Sequence, residues 1–200
     1  MLKRVFDIVF SAGWLIFFSP LLLVVAILVR LKLGSPVLFV QERPGLRARP
    51  FRMVKFRTMT DERGPDGELL PDEQRLTSFG KFLRATSLDE FPEMWNVLLG
   101  DMSVVGPRPL LIRYVSRYSP FQARRMEVKP GVTGWAQVNG RNLLSWEEKF
   151  ALDVWYVDHR TFWLDMKIVV MTFFKVFARS GINSDKAATM EEFQRREPRP

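Results

Sequence analysis

Hydrophobic and polar positions follow three different rhythms along this chain, and each rhythm predicts a different kind of element. From Ile8 to Val29 there is no charged residue, close to the length needed to cross a bilayer. Ser19-Pro20 interrupts that run near its middle. A proline in a helix interior removes one backbone hydrogen bond and clashes with the preceding turn, at a cost of about 3 kcal/mol. Each flanking half is then about 16 Å long, roughly half a bilayer. Lys3 and Arg4 precede the run and Arg30 and Lys32 follow it, so the positive-inside tendency keeps both ends on the cytoplasmic side. The expected element is a membrane helix-break-helix over residues 1–32, re-entrant in one leaflet, with the Ser19 hydroxyl satisfying backbone groups freed at the break. A kinked, fully spanning helix is the alternative.

A period of two takes over next. Pro36 to Gln41 and Phe51 to Met59 read as two short strands around a turn-rich segment, Glu42 to Pro50, giving a β-hairpin. That period places Lys55 and Arg57 on one strand face. Thr60 to Arg75 is acidic, rich in Pro and Gly, and aperiodic, as expected for a loop able to cover a site. Helical spacing then returns. Ser78–Ala85 is amphipathic, Asp89–Leu99 ends at Gly100, and Leu110–Val128 carries Arg113, Arg117, Arg124 and Arg125 as a basic face. An Asn139-Gly140 turn presents Arg141, and Trp146–Val157 forms a further helix. Phe162–Ala178 is apolar but interrupted by Asp165, Lys167 and Lys175, which suits a helix lying at a membrane surface, with a core helix as the bland alternative. The tail beyond Ser180 is polar and expected to fray. The fold class is α+β and mostly helical, in one catalytic domain over residues 33–181 with a polar tail at 182–200.

Composition adds two constraints. Among 200 residues the net charge is +8 and the pI about 10.1, which points to an anionic partner: nucleic acid, acidic lipid or nucleotide phosphate. There is no cysteine, so disulfides, thiolate metal sites and cysteine nucleophiles are excluded. The lone histidine, His159, stands between Asp158 and Arg160 and reads as a satisfied surface residue.

The chemistry concentrates at Ser87-Leu88-Asp89-Glu90 and at Gly106-Pro107-Arg108-Pro109. A carboxylate can attack phosphorus or hold a metal ion, and arginine clamps anionic oxygens in a planar fork. The plainer reading is a capping box, with Ser87 and Glu90 in the S-x-x-E spacing of a helix start. A basic, membrane-embedded chain with arginines in Gly/Pro-stiffened loops favours an interfacial enzyme acting on a phosphorylated amphiphile. Nucleic-acid binding lacks a recognition module.

Several long motifs now carry a resemblance. They are Lys55-Phe56-Arg57-Thr58-Met59, Ser87-Leu88-Asp89-Glu90, Asn96 to Ser103, Val105 to Pro109, and Pro130 to Arg141. The chain resembles the small monotopic phosphoglycosyl transferases of the PglC type, in the bacterial sugar transferase family. That resemblance implies amphipathic interfacial helices around an active site on the cytoplasmic face of the bacterial inner membrane. It implies transfer of a phospho-sugar from a UDP-sugar to polyprenyl phosphate, with release of UMP, Mg²⁺ as cofactor and a covalent aspartyl intermediate. Asp89 would be the nucleophile and lie against Mg²⁺, with Glu90 handling the proton of the incoming lipid phosphate. Arg108 would bind substrate phosphate and Arg84 a lipid phosphate, with Lys55, Arg57 and Arg141 as further phosphate contacts. The partners implied are the UDP-sugar, polyprenyl phosphate, membrane phospholipid and downstream glycosyltransferases, with no nucleic acid. UDP-N,N′-diacetylbacillosamine is one expected donor. A glycosyltransferase that releases UDP, and a basic membrane-tethered binding protein without catalysis, are the competing functions.

Overall fold

The computed structural model describes residues 1–140, 143–177 and Phe193. The apolar N-terminus forms α1 (Leu2–Phe17) and α2 (Ser19–Leu33), bent by 63° at the break. Pro20 sits in the first turn of α2, where its missing N–H costs nothing. The Ser19 hydroxyl donates to the Ile16 carbonyl at 2.8 Å, satisfying an acceptor at the break as expected. No single helix among the described residues is long and apolar enough to cross a membrane. The pair passes that test together.

α1 is fastened to the rest of the chain by polar groups on its inner side. Buried Asp7 accepts from the Ser103 hydroxyl and the Val104 N–H, both at 2.9 Å. Lys3 and Arg4, read from the sequence as flanking charges, turn inward instead. Lys3 donates to Asp165 at 2.6 Å and to the Val105 carbonyl at 3.0 Å. Arg4 donates to the carbonyls of Val97 and Leu98 in the last turn of a helix, where carbonyls lack a regular helical partner; Gly100 N–H also donates to the Val97 oxygen. The opposite side of the pair exposes Leu2, Val5, Val9, Ile16, Phe17, Leu23 and Leu31.

β1 (Leu38–Pro44) and β2 (Pro50–Phe56) pair antiparallel, with Phe39 opposite Lys55 and Arg43 opposite Phe51. The hairpin arrives as predicted, with pairing running further into the turn segment than its polar composition suggests. Residues 60–75 form a loop tied shut at its ends: Thr60 N–H donates to the Arg75 carbonyl, and Arg75 Nε donates back to the Thr60 carbonyl. Its last residues form α3 (Asp72–Arg75). α4 (Ser78–Ala85) has the predicted bounds, with Thr77 capping its N-terminus.

The predicted helix over 89–99 divides. Leu88–Glu90 is a 3-10 turn, and α5 (Glu93–Leu99) begins after Pro92, closing on left-handed Gly100. The basic helix expected over 110–128 also breaks. Ile112–Arg117 is a 3-10 segment, Ser119 starts α6 (Pro120–Ala123) with a complete capping box to Gln122, and Arg124–Glu127 returns to 3-10 geometry. Ser119-Pro120 dictates this, because proline pushes the preceding residue out of the helical region. A parallel pair, β3 (Ser103–Val105) with β4 (Gly131–Thr133), has no counterpart in the sequence reading. α7 (Trp135–Val138), α8 (Trp146–His159) and α9 (Phe162–Phe177) complete the order.

The main core joins Phe51, Met53, Met94, Val97, Met102, Val104 and Ile168, with Phe6, Phe10 and Trp14 of α1 packed against it. A second cluster joins Val25, Val29 and Leu33 of α2 to Phe56 and Leu83. α9 therefore has a core side, at Asp165 and Ile168, and an exposed apolar side at Trp163, Val170, Phe173 and Phe174. Phe193 is the one described residue of the predicted tail, and it is buried among Tyr114, Tyr118 and Phe150.

Candidate active site

Asp89 lies in the 3-10 turn between α4 and α5 and is only 8% exposed. Ser87 ahead of it is left-handed (φ 57°, ψ 17°) and makes no capping bond. The capping box therefore does not form. Its would-be partner, Glu90, is taken by two cations. Arg108 grips Glu90 with both terminal nitrogens, and Lys55 donates to the same carboxylate at 3.0 Å. Lys55 also pairs with Glu93 at 2.9 Å. Asp89, by contrast, has no hydrogen-bond or ion-pair partner among the described residues.

These environments separate the three carboxylates. Burial, and then the neighbouring Glu90 charge, push Asp89 up to about 6 against the pull of Lys55, Arg108 and Arg84. Burial works on Glu90 in the same direction, but Arg108 and Lys55 overcome it and hold Glu90 far below the ordinary glutamate range. Glu93 is 1% exposed, and burial raises it to about 7 despite Lys55. Glu90 is thus held as the anionic partner of two cations. Its contacts order Arg108 and Lys55 beside Asp89.

Arg108 is aimed by its loop. Gly106 N–H donates to the Thr133 carbonyl at 2.9 Å and Gly131 N–H to the Pro107 carbonyl at 3.0 Å. A Cβ at Gly106 or Gly131 would collide with the facing backbone, so this close approach requires glycine. Buried Arg125, paired with Asp153 at 2.7 Å, donates to the Arg108 carbonyl at 2.7 Å. Asn96 locks α5 to β2 by donating to the Arg52 carbonyl at 2.8 Å and accepting from the Val54 N–H at 3.0 Å.

The other expected phosphate contacts divide. Lys55 joins the cluster. Arg84, at the end of α4, donates to the Thr58 hydroxyl at 3.0 Å and lends its charge to Asp89. Arg57 falls just past the end of β2, where its N–H still donates to the Val37 carbonyl, and its side chain pairs with Asp61 at 2.9 Å. Arg141 lies outside the described residues. His159 is exposed, stacked on Trp155 and bonded to its carbonyl, the surface role expected. The sequence reading missed Glu93, Arg125 and Asp153. Glu93 was legible as the carboxylate three and four residues after its neighbours, a spacing that returns to one side of a helix. The Arg125–Asp153 pair had no local signal.

Mg²⁺ binding commonly uses one or two carboxylates together with substrate phosphates. No group of three metal-ligating side chains occurs among the described residues. Asp89 fits the sparse mode, because its carboxylate is the one in the cluster not already bound by a cation.

Comparison with known proteins gives the affiliation. The family model described as bacterial sugar transferase matches residues 1–179. An uncharacterized sugar transferase, EpsL of Bacillus subtilis (strain 168), is 55% identical over 96% of this chain and 96% of its own length. UDP-glucose:undecaprenyl-phosphate glucose-1-phosphate transferases of Klebsiella pneumoniae and Caulobacter vibrioides are 42% and 41% identical over 88% and 85% of this chain. The chain spans 40% of the Klebsiella protein and 67% of the Caulobacter one. On the family match and these identities together, the chain belongs to the bacterial sugar transferase family.

Proposed function

We propose that the protein moves a sugar phosphate from a UDP-sugar to polyprenyl phosphate and releases UMP, with Asp89 as the covalent nucleophile. One observation carries this reading: Asp89 is a buried, unpaired carboxylate set beside cations already organised by Glu90. In the first step an Asp89 oxygen attacks the sugar-side phosphorus. The bond to the bridging oxygen breaks and UMP departs with that electron pair. In the second step an oxygen of the lipid phosphate attacks the same phosphorus, and the Asp89 carboxylate is regenerated. Arg108 and Lys55 lie where phosphate oxygens gain charge, which lowers the barrier to attack by an anion on an anion. Mg²⁺, held by Asp89 and the diphosphate, would neutralise phosphate oxygens further.

The apolar outer side of α1 and α2, together with exposed Phe82, Trp95 and Trp163, supports insertion into one leaflet of the cytoplasmic membrane. Insertion would bring the lipid phosphate to the site and cut the entropic cost of encounter. The relatives' names carry glucose and galactose. A panel of UDP-glucose, UDP-galactose and UDP-N,N′-diacetylbacillosamine, assayed for UMP, therefore tests donor and reaction together. UDP as the sole nucleotide product would reject the phospho-sugar transfer. Trapping with labelled donor should give an acyl-phosphate adduct on the wild type and none on Asp89→Asn.

A further inference from the structure

Period two puts Arg43 on the same hairpin side as Phe51, Met53 and Lys55, the side that faces α5 and the carboxylate cluster. Arg43 nonetheless lacks what its neighbours have. Lys55 is neutralised by Glu90 and Glu93, and Arg108 by Glu90. Among the described residues Arg43 has no carboxylate at ion-pair distance. Its one side-chain bond runs from Nη2 to the neutral Gln41 Oε1 at 2.6 Å. Its Nε is buried and donates to none of the described residues. The residues that follow it, Pro44 and Gly45, line one cleft together with Pro107, Arg108 and Pro109. Burial, and then repulsion from Arg108, lower Arg43 to about 10. A half-buried cation repelled by a second cation, with an idle buried donor, is costly unless an anion joins them.

We propose that Arg43 and Arg108 form the two sides of a phosphate cradle, in which Arg43 is the cation available before Glu90 has to release Arg108. The ligand class is a phosphate or diphosphate, supplied either by the nucleotide sugar or by the lipid phosphate. The assignment rests on the transfer reaction proposed above, but its test needs no turnover.

The full chain in detergent is titrated with UDP and, separately, with farnesyl phosphate, reading the unfolding midpoint and the apparent Kd. Arg43→Gln should weaken one of these ligands at least about tenfold, the loss expected for a charge-assisted hydrogen bond. UDP alone affected assigns the cradle to the nucleotide, and farnesyl phosphate alone assigns it to the lipid. Arg43→Lys should retain part of the affinity. Without ligand, Arg43→Gln should unfold at or above the wild-type temperature, because a repelled, half-desolvated charge is gone. Unchanged affinity for both ligands would overturn the cradle, as would a lower unliganded midpoint with affinity intact. Absence of UMP release by the wild type would instead reject the reaction and leave the anion site to stand on the binding data.

Discussion

Asp89 holds a negative charge in a buried place without a direct partner, and that has two opposite consequences. For the attack proposed above, the carboxylate must be ionised. Single-turnover UMP release should therefore rise with pH through about 6 and level off above it. A rate that is flat from pH 5 to pH 8 would remove Asp89 from the nucleophile's position. For folding, the sign reverses. A carboxyl whose native pKa lies above its unfolded value opposes folding once ionised, and that penalty disappears as pH falls below the ordinary aspartate range. Asp89→Asn should accordingly be inactive yet more stable than the wild type at pH 7, by on the order of 2 kcal/mol. The gain should vanish near pH 3, and paired thermal melts at the two pH values check both halves. Glu90 behaves oppositely: its contribution is present above the ordinary glutamate range and lost only as pH falls below it.

At the scale of elements, the site depends on α5 and β2 keeping one register, and Asn96 supplies it. Asn96→Ala leaves the Val54 N–H and the Arg52 carbonyl unpaired in the interior, a loss of roughly 2–3 kcal/mol. It should also raise the KM for the UDP-sugar, since Lys55 sits one residue from that bond. Denaturant unfolding with steady-state kinetics tests both, and an unchanged KM would mean the hairpin holds Lys55 unaided. Much of this level could be read from sequence. The hairpin, α4, α8, α9 and the break at Ser19-Pro20 follow from local period and proline chemistry. What escaped was non-local or too short for a period to show. β3 and β4 are three residues each and meet only because Gly106 and Gly131 allow backbones to touch. The 88–90 turn overrode a plausible capping signature because Arg108, distant in sequence, outbid the local backbone for Glu90. Spacing puts Arg125 on the basic face of 110–128, and only the fold brings Asp153, distant in sequence, to it as a buried partner.

At the scale of the whole molecule, the absence of cysteine makes topology directly measurable. If the bent pair enters and leaves one leaflet, Leu2→Cys and Ser35→Cys should both be labelled by an impermeant maleimide from the cytoplasmic side alone. Labelling of the two from opposite sides would establish a spanning arrangement. The net charge of +8 also favours a surface rich in anionic lipid.

The inward-turned Lys3, Arg4 and Asp7 bear on how the chain can be divided. Proteins held to membranes by a leash can be cut free and studied in water, but here the first helix is part of the core on which the rest of the chain packs. Removing residues 1–33 would strip Phe6, Phe10 and Trp14 from one core and Val25, Val29 and Leu33 from another, and leave the Ser103 hydroxyl without its acceptor. A 34–200 fragment should therefore fail to give a cooperative unfolding transition, whatever its solubility tag. Shortening this protein into a water-soluble form would mean redesigning both hydrophobic clusters, since no seam exists along which to cut.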